Sequence, residues 1–223
     1  YIESVWWLIK RIYENGQLYK GHKIQWYSPG TGTVLSSHEV SLGYKEVVDP
    51  SVFIRFKSAT DPNTSYLAWT TTPWTLISNV ALVINPKINY VEIKTASESL
   101  ILAEDCLGII DEDYKIVKHM SGEELLTKEY EPLYKVGSLE PERSAFKIFS
   151  ADYVTVEDGS GIVHIAPAFG ADDNQVGKQY GLPLINPVLP NGIFEDHTPL
   201  VGGLWFKDAD KPIIRDLKKR GLL

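Results

Sequence analysis

The feature that most constrains this chain fills its middle. Short runs rich in β-branched and aromatic residues follow one another, each cut off by turn residues. Ser51 to Lys57, Tyr66 to Thr70, Val80 to Ile84, Tyr90 to Thr95 and Leu100 to Leu102 read as strands, and Asn85-Pro86 marks a turn between two of them. Tyr153 to Val156 and Ile162 to Ile165 flank Glu157-Asp158-Gly159-Ser160-Gly161, the pattern of a hairpin with a glycine-rich turn. Strands this short and closely spaced do not alternate with helices as βαβ units do. They predict a mainly β fold with a closed, barrel-like core of mostly antiparallel strands and peripheral helices.

Helices are expected at both ends. Ile2, Val5, Trp6, Ile9, Ile12 and Tyr13 recur at helical spacing until Asn15-Gly16, which predicts a helix from Ile2 to Glu14. Asp208 to Arg220 reads the same way, with Pro212 early and Gly221 just past the end. Ser121-Gly122-Glu123-Glu124 has capping-box form, and Asp172-Asp173 suits the first turn of a helix ending near Gly181. Leu18 to Trp26 reads as extended, Ser28 to Thr33 as a turn-rich loop, and Glu39, Glu46 and Asp49 as surface charges between Ser37 and Pro50. Terminal helices at 1–15 and 208–221 suit a module inserted into a longer chain, because an inserted domain needs its ends close together.

Composition narrows the function. With 223 residues, 43% of them hydrophobic, the chain can build one substantial core. No run reaches the roughly 18 apolar residues of a membrane span. A single cysteine, Cys106, excludes an intrachain disulfide and a multi-cysteine metal site, and fits a reducing, cytoplasmic setting. A net charge of −7 opposes a free-standing nucleic-acid binder, whose affinity comes from neutralising phosphates. Contact with nucleic acid is left to local clusters: Lys10-Arg11, and Arg215, Lys218, Lys219 and Arg220.

Two stretches carry candidate chemistry. Trp69-Thr70-Thr71-Thr72-Pro73-Trp74-Thr75, followed by Asn79, sets three hydroxyls in a row before a proline. Such a ledge leaves backbone N–H groups free for an oxyanion or phosphate, although the residues alone favour the plainer reading of a strand end capped by threonine. Gly159 to Asp173 ends an apolar strand in His164 and reaches Asp173 across a Pro/Gly loop. There a carboxylate could hold an ammonium group, yet taken singly a hydrogen-bonded core histidine and a helix N-cap are the better readings of the two residues. No GxGxxG, P-loop, HExxH or GxSxG motif occurs.

Together these stretches resemble the inserted editing domain of the isoleucyl-tRNA synthetase family. The threonine run at 69–75 looks like that family's threonine-rich motif, and Gly161 to Asp173 like its second motif. Tyr1 to Trp7, Leu35 to Val40, Gly43 to Phe56 and Arg215-Asp216-Leu217 also read as family sequence. Thr72 separates this pattern from the valyl and leucyl relatives, which typically carry arginine before the proline. Ser160 stands where threonine is commoner and Ile77 where proline is commoner. Ser28 to Thr33 lacks the cysteine pair of many relatives, so no zinc is expected there.

The resemblance implies a single editing domain over 1–223, a fragment of a larger synthetase, that releases valine from Val-tRNA(Ile) by water attack on the aminoacyl ester. Thr70, Thr71, Thr72 and Asp173 would be its catalytic group. Asn79, His164, Asp173 and Trp74 would contact substrate, with Asp173 on the α-ammonium and His164 lining the side-chain pocket. No metal or cofactor is implied, since ATP and magnesium would belong to the synthetic domain, whose signatures are absent here. The implied partners are the acceptor end of tRNA(Ile) and the rest of the synthetase, in the cytoplasm and with no membrane. The rival readings are an acceptor-end binding module without catalysis and a free-standing deacylase.

Overall fold

The computed structural model describes residues 1–136 and 145–223. The chain opens with helix α1 (Ile2–Glu14), a small hairpin of β1 (Tyr27–Ser28) and β2 (Thr33–Val34), and helix α2 (Ser37–Leu42). Strands β3 (Val52–Lys57) and β4 (Thr64–Thr70) follow, then a 3-10 turn at Pro73–Ser78 and β5 (Ala81–Ile84). Next come β6 (Asn89–Lys94), β7 (Ser99–Ala103), β8 (Lys115–Ser121), the one-turn helix α3 (Gly122–Leu125) and β9 (Lys147–Ser150). The chain closes with β10 (Val163–Ile165), α4 (Ala171–Tyr180) and α5 (Asp210–Lys219).

Mostly β structure with few helices is what the sequence predicts and what forms; among the described residues no closed barrel is found. Among the described residues the strands make three separate sheets: the hairpin, a three-stranded sheet β10-β5-β9 and a five-stranded sheet β3-β4-β7-β6-β8. The larger sheet ends at β3 and β8; the outer edge of β3 is met by the chain itself, with the Arg55 N–H donating to the Leu222 carbonyl at 2.9 Å and the Lys57 carbonyl accepting from the Glu131 N–H at 2.8 Å, while β8 keeps an open edge. The pairing is mixed, since β4·β7 and β5·β9 are parallel while β3·β4, β6·β7, β6·β8 and β10·β5 are antiparallel. Strand β8 shows why the edge stays open. It is exposed along most of its length and carries Lys115 and Lys118, charges that oppose further pairing.

Strand β5 joins the two sheets energetically. Its four residues are all buried, and its faces serve different cores. Leu82 and Ile84 join the large cluster with Ile54, Phe56, Tyr90 and Leu102. Ala81 and Val83 join a smaller cluster with Ile165 and Val176 of α4. A strand covered on both faces reads as an unbroken apolar run, as Ala81-Leu82-Val83-Ile84 does.

Several local expectations are corrected. The hairpin foreseen between Tyr153–Val156 and Ile162–Ile165 is absent; β10 instead pairs antiparallel with β5, His164 opposite Leu82. Leu18 to Trp26 forms no strand. Within Ser37 to Pro50, α2 forms on a capping box in which the Ser36 N–H donates to Glu39 Oε2 at 2.8 Å. The terminal helices appear as expected, and no helix among the described residues is long and apolar enough to cross a membrane.

Candidate functional site

The candidate site forms where the chain leaves the large sheet and enters the small one. Strand β4 ends at Thr70, and Pro73 opens the 3-10 turn from its first position, where a missing N–H costs nothing. The turn folds the hydroxyls toward one another. Thr70 Oγ1 accepts from the Thr72 N–H at 3.1 Å and lies 3.3 Å from Thr72 Oγ1. Thr72 Oγ1 is 3.4 Å from Thr75 Oγ1, and Thr75 Oγ1 donates to the Thr72 carbonyl at 2.8 Å. Thr75 Oγ1 is also 3.3 Å from His164 Nε2 on β10. Four polar side chains, 94 positions apart at the extremes, thus form one hydrogen-bonded chain.

His164 is only 7% exposed. Burial disfavours its charged form and pushes its pKa down to about 4, so the ring is neutral at physiological pH. Nδ1 is buried with no hydrogen-bond partner among the described residues.

Asp173 sits in the first turn of α4, and its Oδ2 accepts from the Ala166 N–H at 2.8 Å, two residues past His164. Asn174 Nδ2 donates to the Pro167 carbonyl at 3.0 Å, fixing the other side of the same loop. Gly170 is required here: a Cβ would stand 2.7 Å from Asp173 Cγ and displace the carboxylate. Burial pushes Asp173 up to about 6, with the Asp172 charge adding to it and the Ala166 hydrogen bond opposing. A carboxylate raised this way by desolvation is one that a cation would stabilise.

Trp74 bridges the two motifs. Its ring meets Phe169 edge-on at 4.7 Å and Phe206 at 4.9 Å. The predicted residues divide as follows. Thr70, Thr72 and His164 are joined, with Asp173 anchored on the adjoining loop; Thr71 is exposed at the bend. Asn79 does not join them. It is buried, its Nδ2 donates to the Ala81 carbonyl at 2.9 Å, and its Oδ1 accepts from Tyr130 OH at 2.7 Å. Both amide ends of Asn79 are thus engaged within the protein. Thr75, the link to His164, carried no assigned role in the sequence. Its spacing of three after Thr72, one turn on, was the available signal. Among the described residues no group of three or more His, Cys, Asp or Glu side chains is placed to hold a metal ion.

Comparison with known proteins bears on this geometry. The family model for class I tRNA synthetases (I, L, M and V) matches residues 1–217. The chain is 50% identical over 223 residues to isoleucine--tRNA ligase of Clostridium acetobutylicum, covering 100% of this chain and 21% of that protein. It is 48% identical to isoleucine--tRNA ligase of Thermoplasma volcanium, covering 100% of this chain and 22% of that protein. The chain therefore spans about a fifth of the length of these curated relatives. Among solved structures, GlLeuRS-CP1 superposes with a TM-score of 0.60 at 14% identity, covering 78% of this chain and 97% of that one. The P. knowlesi cytosolic leucyl-tRNA synthetase editing domain gives 0.58 at 13% identity, covering 81% and 97%. At such identity the likeness concerns the fold alone.

Proposed function

We propose a function from the fact that this chain belongs to the class I tRNA synthetases: it is an editing module that hydrolyses Val-tRNA(Ile). The observation that carries the reading is the hydrogen-bonded chain from Thr70 through Thr72 and Thr75 to His164, beside the desolvated carboxylate of Asp173. Asp173 takes the α-ammonium of the aminoacyl group. The threonine hydroxyls orient the ester carbonyl and the attacking water. An aminoacyl ester is already activated, so positioning and oxyanion stabilisation supply the rate without a nucleophilic side chain, a metal or a cofactor.

His164 acts as a wall of the side-chain pocket and not as a base. Its Nε2 is engaged by Thr75, its Nδ1 is closed off from solvent, and its pKa lies far below the working range. A general base needs a reachable lone pair and a pKa near the operating pH. A wall is what discrimination requires. One methylene is worth only about 1–3 kcal/mol in a binding pocket, the limit for which isoleucyl enzymes facing valine are the standard example, so a second site must admit the smaller residue and exclude the larger.

The partners are the valine-bearing acceptor end of tRNA(Ile) and the rest of a longer synthetase chain, in the cytoplasm. The exposed apolar face of α1 is a surface for that remainder to cover. The test is hydrolysis of Val-tRNA(Ile) and Ile-tRNA(Ile) by the protein in parallel. Faster release of valine supports the reading. Release of neither, or of both at equal rates, overturns it.

A further inference from the structure

The 3-10 turn at Pro73–Ser78 is not capped by its own N-cap residue. Thr72 holds that position, where a threonine hydroxyl ordinarily accepts from the N–H of the second or third residue of the turn. Here it makes no such bond among the described residues, because it faces Thr70 and Thr75. The second N–H, that of Trp74, is instead taken by Asp210 Oδ1 at 2.8 Å, from 136 residues away. Asp210 is the first residue of α5 and only 6% exposed. Its helix is fixed by Ile213 and Leu217, both fully buried. The carboxylate therefore sits between two helix N-termini, each favouring negative charge.

We propose that Asp210 is a positioning residue: it caps the 3-10 turn in place of Thr72, and so releases the Thr72 hydroxyl into the chain that runs to His164. This rests on the editing function proposed above for the threonine chain. The physical consequence is a competition. Without the Asp210 acceptor, the Trp74 N–H is left partly buried and unpaired, at a cost large enough to recruit a new partner. The Thr72 hydroxyl belongs to the N-cap residue itself, and a side-chain rotation with a backbone adjustment from its φ of −128° and ψ of 70° would bring it to that N–H. If it turns to Trp74 it leaves Thr70 and Thr75, and the group that orients the ester moves.

The test compares Asp210→Ala, which removes the acceptor, with Asp210→Asn, whose amide oxygen keeps it. Val-tRNA(Ile) hydrolysis, amide hydrogen exchange at Trp74 and thermal melting are read on each. Asp210→Ala is expected to lower kcat by about ten- to hundredfold, the scale of a small misplacement of reacting groups. KM should stay within about twofold, since the substrate's binding contacts are untouched. In the double variant Asp210→Ala with Thr72→Val, which leaves Trp74 neither acceptor, Trp74 exchange should accelerate by roughly tenfold or more. Asp210→Asn is expected to keep Trp74 protected and recover hydrolysis to within about threefold of the unmodified protein.

Slow exchange at Trp74 in the Asp210→Ala, Thr72→Val double variant overturns the cap. An Asp210→Asn protein as impaired as Asp210→Ala overturns it in favour of a charge role. A lowered melting point with unchanged kcat reduces Asp210 to a structural residue. Should Asp210→Ala fail to fold, Asp210→Ser, whose shorter side chain cannot span to Trp74, replaces it under the same criteria. If the unmodified protein does not hydrolyse Val-tRNA(Ile), the editing function fails, and the exchange arm alone judges the cap.

Discussion

Helices α1 and α5 are both amphipathic, and the chain treats them differently. In α5, Ile213 and Leu217 are fully buried against the large core, and Asp210 reaches from its first residue to the turn of the candidate site. In α1, no residue is buried among the described ones, and Trp6 is 67% exposed. The contrast extends to the regions around them. Residues 1–50 touch the rest through single polar contacts, such as Lys178 Nζ to the His22 carbonyl at 2.7 Å and Lys207 Nζ to Asp49 at 3.0 Å. Residues 51–223 supply both hydrophobic clusters. An apolar stripe read from sequence announces that a face must be covered; what covers it is a separate question, answered here for α5 and open for α1.

The sharpest way to break this contrast is to remove apolar volume. Ile213→Ala should destabilise the protein by about 2–5 kcal/mol, because a fully buried β-branched side chain leaves a cavity when truncated. Denaturant unfolding measures it, and a loss below about 1 kcal/mol would mean that α5 is not part of the core.

Function separates the regions next. Asp173→Ala should leave the fold intact and lower hydrolysis of Val-tRNA(Ile) about ten- to hundredfold, the loss of a charge-assisted bond worth about 1.5–3 kcal/mol. Near-normal deacylation by the folded variant would remove Asp173 from the site. The same carboxyl predicts a pH dependence. In the free protein it ionises near 6, so kcat/KM should fall about tenfold per unit below that value and level off above it. For stability the sign is opposite. A folded-state pKa raised above the ordinary 3.8 gives a contribution present below 3.8 and lost as pH rises through about 6. Melting points of the unmodified protein and Asp173→Asn should therefore diverge across that window, with the Asn variant relatively more stable at neutral pH. Parallel melting curves would contradict the burial of Asp173.

The smallest effect belongs to α1. Trp6→Ser should change unfolding free energy by less than about 0.5 kcal/mol, as for an exposed residue with no packing partners. A loss like that of Ile213→Ala would show that α1 is packed against the core.

These differences also explain what could be read before the structure was known. Strands β3 to β7 announced themselves because apolar, β-branched runs with turn residues between them have few alternatives. Strand β8 escaped notice: Lys115-Ile116-Val117-Lys118-His119-Met120-Ser121 is a mostly exposed edge, so burial imposes little pattern on it. The misplaced hairpin at 153–165 has a related cause. The glycine-rich turn is real, with Gly159 and Gly161 at positive φ. Turn chemistry is local, however, and the partner of β10 is β5, some eighty residues earlier. That no barrel closes among the described residues has the same cause, since strand count does not specify which edges meet. Within the site, Thr70, Thr72, His164 and Asp173 stood out through motif resemblance. Thr75 hid within the same run, and Asp210 carried no local signal because its partner lies 136 positions away.

The proposed editing function turns on His164 as a wall that excludes isoleucine. The direct measurement is paired deacylation of Val-tRNA(Ile) and Ile-tRNA(Ile) by His164→Ala, with a melting curve for each protein. Removing a buried imidazole makes room for the extra methylene, and relieving an overpacked fit is worth about 1–3 kcal/mol. The variant should keep hydrolysing Val-tRNA(Ile) and gain up to tens-fold on Ile-tRNA(Ile). Loss of Val-tRNA(Ile) hydrolysis at an unchanged melting temperature would contradict the account and make His164 catalytic.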